Sequence, residues 1–116
     1  DLYKEFTLPK LLRELNGVDG IDWIRILYFY PNRLTDEVIE AMATLPKVTH
    51  YIDIPLQHAH PDVLRRMKRP WDGERYLKLF EKVRAAMPDV AIRTTFIVGF
   101  PGETDEEFQY LVDFIE

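Results

Sequence analysis

Apolar positions along this chain follow two periods, one near three to four residues and one of two. Leu8, Leu11, Leu12 and Leu15 fall at helical spacing, and Gly17 stands where a left-handed helix cap is expected. The run Trp-Ile-Arg-Ile-Leu-Tyr-Phe-Tyr at 23–30 is β-branched and aromatic and is stopped by Pro31, which predicts a buried strand. Thr35 is placed to cap a helix with Asp36 and Glu37 in its first turn. Val38, Ile39, Met42 and Leu45 give that helix its apolar face. Tyr51 to Ile54 predict a second strand, ended by Pro55, and Pro61 suits the first turn of a short helix holding Val63, Leu64 and Met67. Gly73 precedes a helix with Tyr76, Leu77, Phe80, Val83 and Met87 on one side, closed by Pro88 and Asp89. Residues 90–98 predict a third strand, and Thr104 to Glu107 form a capping box that opens the last helix.

Strands alternating with helices predict an α/β fold with three parallel strands joined by right-handed crossovers. Three strands cannot cover both edges of a sheet, so the chain reads as half of a (β/α) barrel or as an open sheet. Both ends look cut: the sequence opens at Asp1 without an initiator Met. Phe108, Leu111, Val112 and Ile115 mark a helix still in progress at Glu116. Unpaired edges and an unfilled lumen would favour association.

Composition narrows the chemistry. There is no cysteine, so no disulfide, thiolate zinc site or iron–sulfur cluster can be built from these residues. A net charge of −5 argues against broad capture of nucleic acid. Arg65, Arg66, Lys68 and Arg69 are the local exception, read either as a solvated helix face or as an anion site. No apolar run approaches the roughly 18 residues of a membrane span, and no signal pattern opens the chain. The sequence therefore reads as cytoplasmic, with no membrane partner.

Ligands of such folds gather at the C-terminal ends of the strands. Alternation puts Arg93, Thr95, Ile97 and Gly99 on one face of the third strand, and Ile92, Thr94, Phe96 and Val98 on the other. The second, more apolar set should meet the helices. In the same way Asp53 and Gln57 lie opposite Ile52, Ile54 and Leu56. Arg25, Asp53 and Arg93 are expected to form an internal ion network, since buried charges need partners. The turn from Gly99 through Gly102 to Thr104 could bring backbone close to a flat ligand or simply reverse the chain. His58 and His60, with Asp62 nearby, have zinc-ligand spacing but too few partners, and loop capping is the alternative, with His60 capping the helix at Pro61. Spacing nominates neither a catalytic residue nor a metal site.

Three stretches in order are more specific than any one alone: residues 23–31, residues 51–58 with Met-Lys-Arg-Pro at 67–70, and residues 93–104. Together they resemble the radical S-adenosylmethionine methylthiotransferases over essentially the whole chain. The nearer branch modifies an aspartate of small-subunit ribosomal protein twelve. The sister branch, acting on isopentenyladenosine in tRNA, tends to have Leu-Pro-Val-Gln-Ser at 54–58 and an aspartate at the position of Thr95. A non-catalytic α/β interaction module is the remaining alternative.

The resemblance implies a (β/α)6 partial TIM barrel, of which residues 1–116 would hold the third to fifth strands. The two 4Fe-4S cluster sites and a substrate-binding TRAM domain, a possible RNA contact, would lie outside this chain, and the chain alone would be inactive. By position, the resemblance assigns S-adenosylmethionine contacts to Gln57 and Thr95 (ribose), Arg69 (methionine carboxylate), and Ile97, Val98, Gly99 and Phe100 (adenine, along the backbone). The implied activity adds sulfur and a methyl group to the substrate aspartate after hydrogen abstraction.

Overall fold

The computed structural model describes residues 6–69 and 71–116. Pro70 and the opening residues 1–5, on which part of the sequence reading falls, lie outside the described residues. Helix α1 (Leu8–Asn16) is followed by an extended stretch and a 3-10 turn at Pro31–Arg33, then by α2 (Asp36–Thr44). Strand β1 (Tyr51–Asp53), helices α3 (Pro61–Arg66) and α4 (Gly73–Ala86), strand β2 (Ala91–Arg93) and helix α5 (Asp105–Ile115) complete the order.

Four helices start on a side-chain cap, three of them at the residue the sequence places there, namely Thr35, His60 and Thr104. Asp72 caps α4, whose first residue is Gly73, and Thr7 makes no cap bond at α1. Thr35 accepts from the Val38 amide, the His60 side chain from that of Asp62, and Asp72 from that of Arg75. Thr104 and Glu107 form both arms of a capping box at α5. Each such cap stabilises its helix by about 1 kcal/mol.

β1 and β2 pair in parallel, with Tyr51 opposite Ala91, Ile52 opposite Ile92 and Asp53 opposite Arg93. On the inward face Ile52, Ile54 and Leu56 are fully buried. They share a core with Val38, Ile39 and Met42 of α2 and with Tyr76, Phe80 and Val83 of α4. Burial of each large aliphatic side chain contributes about 1.5–3 kcal/mol, so this face fixes the register of the strand ends beyond it.

Two regular parallel strands are present among the described residues, where three were expected. Residues 23–30 run beside β1 and the segment leading into it, with described backbone hydrogen bonds at their two ends. Ile24 bridges Val48, and the Phe29 amide donates to the Asp53 carbonyl at 2.7 Å. Between these points no described backbone hydrogen bond reaches β1. Trp23, Leu27 and Tyr28 are 77, 71 and 57% exposed, against the expected burial. A β-rich composition reports willingness to pair; a ladder also needs a partner along its length.

Smaller departures have local causes. Gly17 ends α1 at φ −82°, a right-handed rather than left-handed cap. On α4, Leu79 is buried and Leu77 lies 47% exposed, because the core meets the Tyr76–Leu79–Phe80–Val83 stripe.

Candidate functional site

Beyond Asp53 the β1 segment continues as extended chain cross-linked to the segment after β2. The Ile54 amide donates to the Arg93 carbonyl at 2.9 Å, and the Thr94 hydroxyl donates to the Ile54 carbonyl at 3.0 Å. The Gln57 amide then donates to Thr95 O at 3.1 Å, and the Ile97 amide donates to Gln57 O at 2.8 Å. Gln57 is thus clamped on both sides of Phe96, and it adopts φ 77°. A left-handed backbone costs a side-chain-bearing residue about 1–2 kcal/mol, and such strain collects where a fold serves a ligand. Gln57, Thr95 and Ile97 are brought together by this clamp.

The alternation expected after β2 holds. Ile92, Thr94 and Phe96 are half-buried, with Phe96 edge-on to Phe114 of α5, while Arg93, Thr95 and Ile97 face outward. Val98 departs from it at 60% exposed, so Ile97 and Val98 both present apolar surface. Gly99 and Gly102 adopt φ 72° and 80°, which reverses the chain toward α5.

Glu103 organises this turn. Its Oε2 accepts the amides of Gly99 and Phe100, the latter at 3.0 Å, and its Oε1 lies 2.9 Å from His58 Nε2. His58 Nδ1 accepts the His60 amide at 3.0 Å, which leaves Nε2 to carry the ring proton and donate to Glu103. Burial works to raise the Glu103 carboxyl, but the hydrogen bonds from His58 and from the Phe100 and Gly99 amides outweigh it and hold the group below the ordinary glutamate value.

Arg69 is placed by the end of α3. The Arg69 amide donates to Leu64 O at 2.8 Å and the Lys68 amide to Arg65 O at 3.0 Å, a Schellman closure with Lys68 at φ 57°. The Arg69 guanidinium lies 4.7 Å from the centre of the Tyr30 ring. Pro31, Asn32, Trp71 and Tyr76 line the same recess. Burial acts to lower the Arg69 pKa, and Tyr30 and Tyr28 more than reverse it, so the cation is kept. Burial pushes the Tyr76 phenol up to about 12. None of the described hydrogen bonds links Arg69 to Gln57 or Thr95.

The basic run divides by partner. Arg65 pairs with Asp62 at 2.6 Å on the surface. Arg66 grips Glu107 through two parallel bonds of 2.9 and 2.8 Å, and its guanidinium, with the Thr104 amide, pulls the Glu107 carboxyl down to about 2. Among the described residues, Lys68 and Arg69 have no carboxylate partner.

Two further expectations resolve locally. Of the foreseen ion network, Asp53 and Arg93 pair, whereas Arg25 instead stacks 3.7 Å above the Tyr51 ring. Ligand atoms of His60, Asp62 and Glu107 lie within 4.8 Å of one another. His60 Nδ1, however, caps α3 and the two carboxylates hold Arg65 and Arg66, so the loop-capping reading of His60 is the one its contacts support.

Sequence reasoning missed Glu103 as a hub and the aromatic setting of Arg69. Glu103 lies 45 residues from His58, so no local spacing announces their contact. A glutamate four positions after a strand-ending glycine was the available signal.

The profile of the Radical SAM superfamily matches residues 2–115. Over 115 residues the chain is 56% identical to the ribosomal protein uS12 methylthiotransferase RimO of Moorella thermoacetica, covering 99% of this chain and 27% of that protein. The protein of the same name from Symbiobacterium thermophilum is also 56% identical, with 99% and 24% covered. That of Synechocystis is 53% identical over 116 residues, with 100% and 26% covered. The chain thus spans about a quarter of the length of these relatives. The resemblance drawn from the three sequence stretches agrees with this match, and the chain belongs to the radical SAM superfamily.

Proposed function

We propose that this chain is the S-adenosylmethionine-holding part of a methylthiotransferase that modifies ribosomal protein uS12. The observation that carries the reading is the strained, doubly clamped Gln57 beside Thr95 and the exposed Ile97–Val98 surface. The residues suit the cofactor's chemistry. Ile97 and Val98, with the backbone to Gly99 and Phe100, offer an apolar strip for adenine. A Cβ built on Gly99 would meet nothing within 4 Å, so this backbone is open to a ligand. The Gln57 amide and the Thr95 hydroxyl suit a ribose diol. Arg69, charged and without a carboxylate partner among the described residues, suits the methionine carboxylate through paired N–H bonds.

A 4Fe-4S cluster needs cysteines that this sequence lacks, so its ligands belong to other parts of the intact protein. When bound there, cluster and S-adenosylmethionine together supply the radical chemistry. The role of residues 57–100 is to bind and orient the cofactor. The exposed row of Trp23, Leu27 and Tyr28 fits a segment completed by further barrel strands, and the chain alone would not turn over. Ribosomal protein, rather than tRNA, is favoured as substrate by the relatives' names and by Ile-Pro-Leu-Gln-His at 54–58. A substrate on the ribosome puts the reaction in the cytoplasm, in keeping with the absence of any helix, among the described residues, long and apolar enough to cross a membrane.

Calorimetric titration of S-adenosylmethionine into the intact protein tests this reading. Arg69→Ala should weaken binding by about 1.5–3 kcal/mol, the typical loss for a charged hydrogen bond. Unchanged affinity would refute the assignment.

A further inference from the structure

A carboxylate taken out of water must be matched by donors, and a buried imidazole must use both ring nitrogens or lose hydrogen-bond energy. The His58 side chain is fully buried and that of Glu103 is 5% exposed. Each is completely engaged, and the two join segments far apart in sequence. His58 directly follows the strained Gln57, and its Nδ1 is held by the His60 amide at 3.0 Å. Glu103 receives the Nε2 proton on one oxygen and gathers the Gly99 and Phe100 amides on the other. One buried pair therefore spans the two backbone segments that carry Gln57 and residues 97–100.

We propose that His58 and Glu103 are a positioning pair that sets the spacing between Gln57 and the Ile97–Phe100 backbone, and so sets affinity for S-adenosylmethionine. This inference rests on the reading of those residues as the cofactor-binding surface. The direction of every hydrogen bond is defined. With Nδ1 committed to accepting, Nε2 must donate, and Glu103 must accept at both ends. A glutamine at 103 accepts at one end alone. Its amide N–H₂ then faces either the His58 Nε2–H or the two backbone amides, and donor meets donor. A ligand contact to Ile97–Phe100 made through backbone atoms has no side chain with which to correct the resulting shift.

The test uses the intact protein, with calorimetric titration of S-adenosylmethionine and hydrogen exchange resolved at Gly99 and Phe100. The Ile54 amide, bonded to Arg93 O at 2.9 Å, is the internal control. Glu103→Gln should speed exchange at Gly99 and Phe100 about ten-fold or more, leave Ile54 unaltered, and weaken binding about ten-fold, the loss of one charged hydrogen bond. His58→Gln, whose amide can still donate to Glu103, should lose less affinity than His58→Asn, which cannot reach it. A general structural role would instead raise exchange at Ile54 together with the loop.

Wild-type affinity in Glu103→Gln, or unaltered exchange at Gly99 and Phe100, overturns the inference and leaves the cofactor reading standing. A wild-type protein that does not bind S-adenosylmethionine overturns both. Should Glu103→Gln fail to fold, equal affinities of His58→Gln and His58→Asn overturn the inference.

Discussion

The left-handed turn at Gln57 can be probed by two substitutions that remove the same side chain. Gln57→Ala keeps a Cβ at φ 77°, while Gln57→Gly removes it. None of the described hydrogen bonds uses the Gln57 side chain, and both clamping bonds, from its amide to Thr95 O and to its carbonyl from the Ile97 amide, survive in either variant. The variants therefore differ mainly in backbone preference. A Cβ in the left-handed region costs about 1–2 kcal/mol. Glycine gives back about 0.5–1 kcal/mol through its freer unfolded chain. The net expectation is that Gln57→Gly is more stable than Gln57→Ala by about 0.5–1 kcal/mol. In urea denaturation followed by circular dichroism, with a slope of about 2 kcal/mol/M, the midpoints should differ by about 0.3–0.5 M. Both variants should lose S-adenosylmethionine affinity to a similar degree, since both lose the amide. Equal midpoints, or a more stable alanine variant, would show that the clamp does not hold the backbone under strain.

Other perturbations test the frame around the site. Ile54→Ala, at a fully buried position between the strand ends and the helices, should cost about 3 kcal/mol in the same denaturation assay. Acid titration tests Glu107, whose carboxyl sits at about 2 against an ordinary 4.5. Because the folded value is depressed, its stabilisation is complete above about 4.5 and is lost as pH falls toward 2. The fall of melting temperature with pH across that window should be shallower in Glu107→Gln than in the unsubstituted protein.

How much of this was legible beforehand varied with the range of the interaction involved. The caps at Thr35, His60 and Thr104 were readable because a cap and its amide lie two or three residues apart. The inward face of Ile52, Ile54 and Leu56 was readable because a strand with one buried side must alternate. Residues 23–30 misled for the complementary reason: their composition announces a strand, yet no described hydrogen bond pairs the stretch from Arg25 to Tyr28 with β1. Arg25 was assigned to an ion network by its charge, and the Tyr51 ring claimed it through geometry that no spacing rule encodes. The sequence-based site residues came from resemblance, not from periodicity. Structure added what holds them: the Schellman closure before Arg69, the two-sided clamp on Gln57, and the His58–Glu103 contact under the Gly99 turn.

A crystal structure of the intact protein with S-adenosylmethionine would test the central assignment most directly. The account expects adenine along the Ile97–Phe100 backbone, ribose hydroxyls at Gln57 and Thr95, and the methionine carboxylate on Arg69. A cofactor seated away from Gln57 and Ile97–Phe100, with Arg69 still stacked on Tyr30 and touching no ligand, would contradict it.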